Sequence, residues 1–112
     1  MPSSTTIARG NVQLEAILQV VITSPSSLLV NTSAEVLVTV PGVALGDFIE
    51  INKPSHVSGL SIGNVRASAV NQIAVQFVNT TAGTYTGGTT ENYLIVVSRF
   101  DGAPVTPPAA IA

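Results

Sequence analysis

The sequence contains one histidine, His56, and histidine is the side chain best suited to moving a proton near neutral pH. His56 lies in a predicted loop between Pro54 and Gly59. A lone histidine in such a loop is more often solvated than catalytic. With a single histidine and no nucleophile-elbow pattern, the sequence gives no indication of a serine–histidine–acid triad. We therefore predict no catalytic role for His56.

Asp47 and Glu50 are the nearest pair of acidic residues that could act as general acid and base. On a strand, residues three positions apart point to opposite faces, so these carboxyl groups would not act together. We expect Asp47 to hydrogen-bond nearby backbone in a turn and Glu50 to lie on a polar face. We therefore predict structural roles for both residues and no acid–base catalysis by the pair.

The sequence predicts no metal or cofactor site either. The chain has six acidic residues, no cysteine and no Asp-x-Asp-x-Asp-Gly loop. The Gly87-Gly88 pair is not followed by the Lys-Ser/Thr of a phosphate-binding loop. The glycosylation patterns at Asn31 and Asn79 are attributed to chance, because the N-terminus carries no signal-peptide pattern. We predict that the chain is not an enzyme.

Composition limits the classes of partner. With 112 residues, 46% apolar and 9% charged, the chain is expected to fold as one domain. A net charge of −2 on scattered charges gives no basic surface for nucleic acid or for an anionic membrane. The longest apolar cluster, "AILQVVI", is too short for a membrane-spanning helix. Because the chain has so few charged residues, much of its surface is expected to be apolar. We therefore expect a homo-oligomer in which another copy covers that surface.

The elements that must position these side chains are predicted to be strands. From Val12 to Ile22 the even positions are apolar and most odd positions are polar, which is the alternation of a half-buried strand. A helix competes, because Leu14, Leu18 and Val21 also fit helical spacing. The β-branched run that follows favours the strand.

The stretch "VLVTVPGVALGDFIEINKP" predicts two strands joined as a hairpin. Residues 34–40 alternate, Pro41-Gly42 turns the chain, and Gly46-Asp47 starts the return through residues 48–51. The next stretch, "SHVSGLSIG" at residues 55–63, is typical of a loop.

The remaining chain predicts three more strands. Residues 65–69 and 73–77 alternate around a tight turn at Asn71-Gln72, and residues 79–92 resemble a long polar loop. Residues 93–100 are apolar on both faces, so that strand should lie centrally in a sheet or against a partner. The predicted fold is all-β, an antiparallel β-sandwich or a jelly-roll-like small barrel spanning residues 11–101. An extended N-terminal arm, residues 1–10, and a Pro/Ala-rich C-terminal tail, residues 102–112, flank it.

Three segments together resemble a recurring pattern in tailed-bacteriophage structural proteins. They are "VTVPGVALGDFIEINKP", "GLSIGNVRASAVNQIAVQFVNTTAGTYTGG" and "NYLIVVSRF", about half of the chain. The resemblance implies a small β-sandwich or jelly-roll module, often trimeric. Such modules serve as head decoration (cement) proteins or as head-fibre and tail-fibre domains.

The resemblance implies a homotrimer bound to the major capsid protein on the outside of a phage head, made in the host cytoplasm. The alternative is a trimeric fibre module whose loops, residues 55–63 and 79–92, contact a host-cell sugar, although 4% aromatic residues argue against a sugar site. The two terminal segments are the candidates for capsid contact, with plain disorder as the alternative. The candidate contact residues are Pro2, Ser3, Ser4, Thr5, Thr6, Ile7, Arg9, Pro104, Pro107 and Pro108.

Overall fold

A computed structural model describes residues 12–100 of the chain, and these residues fold entirely into strands and connecting loops. The strand predicted for residues 12–22 is confirmed, and the helical alternative is wrong. The eight strands are β1 (Val12–Thr23), β2 (Ser27–Leu28), β3 (Ser33–Thr39), β4 (Phe48–Asn52), β5 (Leu60–Ala69), β6 (Gln72–Asn79), β7 (Tyr85–Thr86) and β8 (Thr90–Phe100).

The strands form three antiparallel sheets. One sheet has the order β1-β8-β4, a second has the order β3-β6-β5, and β2 pairs with β7 in a two-stranded sheet. The prediction of an all-β antiparallel fold is confirmed. The sheets are not closed into a barrel, so the predicted small-barrel alternative is wrong.

Strand β8 is central, as its two apolar faces predict. It pairs with β1 on one side and with β4 on the other. Tyr93, Ile95 and Val97 point into the core and are almost fully buried, while Leu94 points outward. The alternation of β1 has the same origin, because Ile22 is buried and Val21 beside it is exposed.

The core is one apolar cluster to which all three sheets contribute. Strand β6 supplies its centre, since Ile73, Val75 and Phe77 are fully buried. Burying these branched and aromatic side chains supplies the main driving force for packing the sheets together. The residues of the cluster are Ile22, Leu28, Val40, Val43, Ile49, Leu60, Ile73, Val75, Phe77, Tyr93, Ile95 and Val97.

The predicted hairpin between β3 and β4 is wrong. Strand β3 pairs with β6, and β4 pairs with β8, so residues 40–47 cross from one sheet to the other. The crossover is anchored by burial of Val40 and Val43, and by Asn71 in the β5–β6 turn. The amide of Val40 donates to the Asn71 carbonyl at 2.9 Å, and the amide of Asn71 donates to the Val43 carbonyl at 2.7 Å. Apolar alternation specified both strands correctly but not their partners.

The predicted loops 55–63 and 79–92 are shorter than expected. Strand β5 begins at Leu60, because that side chain is buried in the core. The polar stretch 79–92 contains β7, whose Tyr85 packs against the core, and the start of β8. The tight turn is confirmed one residue early, at Val70 and Asn71, where Asn71 takes a positive φ of 62°.

The described chain has two distinct ends. Val12 pairs with Phe100, so residues 1–11 and 101–112 join the described chain side by side. We call this the tail end; it also carries the crossover 40–47. At the opposite end, which we call the loop end, residues 53–59 and 80–89 connect the strands.

Candidate binding surfaces

The loop end is organised around the buried side chain of Asn79, which is 1% exposed. Its Nδ2 donates to the carbonyl oxygens of Leu28 at 3.0 Å, Leu29 at 3.2 Å and Gly83 at 2.9 Å. Its Oδ1 accepts from the amide and the hydroxyl of Thr81 at 3.0 and 2.7 Å. One side-chain amide therefore connects three backbone segments. Its role is structural, because its donor and acceptor atoms are used in these hydrogen bonds.

A second polar cluster joins β4 to the start of β8. Lys53 Nζ donates to Glu91 Oε1 at 2.9 Å, and the Ser55 hydroxyl donates to the other carboxylate oxygen. The Ser55 and Lys53 hydrogen bonds lower the pKa of Glu91. Lys53 Nζ also lies 6.0 Å from the centroid of the Tyr93 ring. These contacts pair the charges of Lys53 and Glu91 with each other and hold the loop after β4 to β8.

Tyr93 itself is buried at the centre of this region. Burial raises the pKa of Tyr93 to about 12, and the neighbouring Glu91 and Tyr85 add to the rise. Among residues 12–100 its hydroxyl has no hydrogen-bonding partner. The phenol is therefore protonated near neutral pH, and its ring packs in the core cluster.

His56 lies exposed in the loop between β4 and β5. It borders a hollow of about 360 Å³ between those strands, together with Lys53 and Ser55. Over the described range 12–100, no three His, Asp or Glu side chains lie close enough together to hold a metal ion.

The hollow beside His56 continues into a second one of about 400 Å³, and the two share Ile51 and Ile62. Together they form an open groove between β4 and β5, strands of two sheets that face each other without hydrogen-bonding. The groove floor is aliphatic, with Arg66 at its far end. Polar side chains line the groove as well, among them Asn52, Ser61 and Asn64.

The tail end is held by an ion pair between Arg99 and Asp47. Arg99 Nε lies 2.8 Å from Asp47 Oδ1, and Arg99 Nη2 lies 2.8 Å from Asp47 Oδ2 and 2.9 Å from the Gly42 carbonyl. The Ala44 amide donates to Asp47 Oδ2 at 2.9 Å. The predicted role of Asp47 as a turn residue is thus confirmed. No local pattern indicates its second partner, Arg99, which lies 52 positions away.

The hydrogen bonds from Arg99 hold the pKa of Asp47 below its usual value, against the opposing effect of burial. Glu50, by contrast, is exposed on the outside of β4, as expected. The two carboxylates therefore lie in different environments on opposite sides of the sheet, and they form no acid–base pair.

The side of the β1-β8-β4 sheet that points away from the core, which we call the outer face, is unusually apolar. Ile17 is 73% exposed, Val21 61%, Phe48 58% and Leu94 47%. Large exposed apolar side chains clustered on one face are typical of surfaces that bind other macromolecules.

The outer face has few charges among residues 12–100. Strand register puts Ile17, Val96 and Glu50 in one row across the three strands. Glu15 lies in the neighbouring row, where it accepts a hydrogen bond from the Ser98 hydroxyl at 3.2 Å.

The capsid-contact candidates Pro2, Ser3, Ser4, Thr5, Thr6, Ile7, Arg9, Pro104, Pro107 and Pro108 lie outside the described residues. Residues 12–100 contain no helix of the length and apolar character required to cross a bilayer. No family model matches the sequence, and no curated protein or solved structure is significantly similar to it.

Proposed function

We propose that the chain is a structural protein of a tailed-bacteriophage particle, a decoration (cement) protein bound to the outer surface of the head. In this proposal it is a homotrimer of β-sandwich or jelly-roll subunits, has no enzymatic activity and links neighbouring major capsid proteins. The resemblance of the segments 38–54, 59–88 and 92–100 to phage structural proteins suggests the partner.

The observation that carries the proposal is the pairing of Val12 with Phe100. Both terminal segments, which contain all the capsid-contact candidates, start from this pair. A protein that ties two capsid subunits together needs more than one point of attachment, and neighbouring ends of the described chain let two segments start from one place. Extended segments bind by adding main-chain hydrogen bonds to a neighbour without a preformed pocket.

The polar groups of the described chain also support a structural role. Asp47, Glu91 and Asn79 all bond to other parts of the same chain. Such bonds stiffen the molecule and leave few polar groups for chemistry. A rigid subunit suits a lattice, because symmetry repeats each modest contact many times and the contacts sum to high avidity.

The direct test adds the purified chain to heads of the parent phage that lack it. The proposal expects a trimer in solution that co-sediments with the heads and raises their melting temperature. Deletion of residues 1–9 or of residues 103–112 should each weaken binding, whereas His56→Ala, at the loop end, should bind as the unmodified chain does. A stable monomer with no affinity for the heads would contradict the proposal.

A fibre module that contacts the host surface is the second candidate, and the loop end favours it. The Thr80 amide donates to the Gly59 carbonyl at 2.9 Å, and Lys53 pairs with Glu91, so the two long loops form one joined surface. Binding of the purified chain to host cells, without binding to heads, would replace the first proposal by this one.

A further inference from the structure

Strand β1 has an edge that no strand of the described chain covers. It is 12 residues long, and β8 is the only strand within residues 12–100 to which it hydrogen-bonds. Over residues 13–23 its other edge therefore presents a row of backbone donors and acceptors to which no strand among residues 12–100 is paired. Such an edge is a template for adding a further strand.

The other edge strands of the two three-stranded sheets are shorter than β1 or carry features that discourage pairing. Strand β3 has seven residues. Strand β4 has only five residues and is followed by Lys53-Pro54. Strand β5 has two register irregularities, and β4 lies beside it. Strand β1 contains neither Lys, Arg nor Pro, and its single irregularity is at its start, between Val12 and Leu14. By these criteria β1 is the longest edge strand of residues 12–100 that lacks such protection.

Apolar side chains flank this edge on both sides of the sheet. Ile17 and Val21 are 73% and 61% exposed on the outer face. On the core side, Leu14 and Leu18 border a hollow of about 200 Å³ that is walled by the crossover residue Pro41. A strand laid along β1 would cover both groups of side chains and would satisfy the backbone at the same time.

We propose that the free edge of β1 pairs antiparallel with β1 of a second copy of this chain, about a two-fold axis at Ile17. A two-fold axis perpendicular to the sheet places the core-facing residues of one β1 beside the core-facing residues of the other. The axis at Ile17 overlaps residues 13–21 of both copies and joins the two three-stranded sheets into one of six strands. It also packs the most exposed aliphatic side chain of residues 12–100 against its own copy.

Charge supports a second copy as the occupant. Glu15 is the only charged residue of β1. With the axis at Ile17, Glu15 lies opposite Gln19 of the partner, whose amide donates readily to a carboxylate. The two Glu15 side chains are not opposite each other, so two copies of the edge can pair without repulsion between carboxylates.

This contact goes beyond the proposed function and does not depend on it. Alone, the pairing makes a dimer; combined with a trimer, it joins neighbouring trimers edge to edge. It is tested on the purified chain without phage heads, so failure to bind heads and failure to pair are separate results.

The first experiment uses the absence of cysteine from the chain. Ile17→Cys in the full chain should form a covalent dimer on mild oxidation or with a short thiol cross-linker, because the two introduced thiols face each other across the axis. Leu37→Cys, at a 60% exposed site on β3, is the matched control and should cross-link at least about tenfold less at equal concentration. Equal cross-linking of the two variants, or no cross-linking of Ile17→Cys, would overturn the proposal. Either result would do so whether the edge is covered by residues 1–11, by another protein or by nothing.

The second experiment tests the register. Gln19→Glu would place a carboxylate opposite Glu15 of the partner at two symmetric positions, whereas Gln19→Lys would place a cation there. We expect the dimer dissociation constant, measured by sedimentation, to rise about three- to tenfold for the first variant and to fall for the second. Adding Glu15→Lys to Gln19→Glu should restore pairing. Equal effects of the two single substitutions would contradict the two-fold pairing.

Discussion

Arg99 and Asp47 form a two-point ion pair across 52 positions of sequence, with both N–O distances at 2.8 Å. The Asp47 side chain is 2% exposed, and the same guanidinium donates to the Gly42 carbonyl. Arg99 therefore holds β8 to the crossover 40–47 at two places, the Gly42 carbonyl and the Asp47 carboxylate. It lies at the tail end, beside the residues from which the terminal segments start.

Asp47→Asn should destabilise the fold. The substitution keeps the shape of the side chain but removes the charge that Arg99 contacts at two points, and the loss of a charge-assisted hydrogen bond costs about 2 kcal/mol of unfolding free energy. Glu50→Gln is the matched control, because Glu50 is exposed on the other side of the sheet. Chemical denaturation of both variants measures the difference. Equal midpoints would show that the ion pair contributes nothing to stability.

Acid should weaken the protein through the same carboxylate. The pKa of Asp47 is lowered in the folded chain from its usual 3.8, first by the Arg99 hydrogen bonds. A carboxyl group with a depressed folded pKa stabilises the fold above its unfolded pKa, and this stabilisation is lost as the pH falls through the folded pKa. The pKa of Glu91 is also lowered, by Ser55 and Lys53, and acts with the same sign.

We therefore expect the unfolding free energy to drop as the pH falls from about 4 toward about 2. The measurement is denaturant unfolding at a series of pH values. Asp47→Asn should show a smaller drop than the unmodified chain, because one of the titrating groups is gone. An identical pH profile for the two proteins would rule out Asp47 as a source of the acid sensitivity.

Local patterns were sufficient to identify the elements that depend on nearest neighbours. The alternation from Val12 to Ile22 and the two apolar faces of residues 93–100 reflect which side of a strand is buried, and that information is in the residues themselves. The strand β1 and the central position of β8 could therefore be predicted. The same pattern was also compatible with a helix in β1. The β-branched residues at its end favoured the strand, and the pairing with β8 confirms it.

Pairing could not be predicted in the same way. Strands β3 and β4 follow one another with turn residues between them, which is the local signature of a hairpin, yet each pairs with a strand more distant in sequence. What separates them is the burial of Val40 and Val43, which draws the connection across the core. The Arg99–Asp47 pair and the apolar outer face are likewise products of the assembled sheets, so no local spacing signals them.

Asn79→Ala should loosen the loop end. The substitution leaves the Leu28, Leu29 and Gly83 carbonyls without their side-chain donor in a buried setting, and unfolding free energy should fall by about 3 kcal/mol, since several hydrogen bonds are lost at one site. Asn64→Ala, at an exposed position of β5, is the control.

Limited proteolysis adds a readout specific to that region. Cleavage within residues 80–89 should become faster in Asn79→Ala than in Asn64→Ala, because the amide holds that loop to the segment after β2. Unchanged cleavage there, together with a normal denaturation midpoint, would contradict the organising role assigned to Asn79.

Gly88→Ala should separate the start of β8 from the end of β1. A Cβ at Gly88 would lie 2.5 Å from the Ser24 carbonyl oxygen and 2.8 Å from that of Pro25, and backbone at such distances must move. The movement would disturb the bonds between Ser24 and Thr89, where each amide donates to the other residue at 2.9 Å.

The matched control is Gly83→Ala, because a Cβ there has nothing within 4 Å and the φ angle is not in the left-handed region. Alanine at such a position restricts the unfolded chain and changes stability by less than about 1 kcal/mol in either direction. Thermal melts of the two variants should therefore differ, with Gly88→Ala lower by about 5 °C or more for a destabilisation of about 1 to 2 kcal/mol in a domain of this size. Coincident melts would mean that residues 24–25 move aside at little cost, so that the close contact between β1 and β8 at the loop end is not a source of stability.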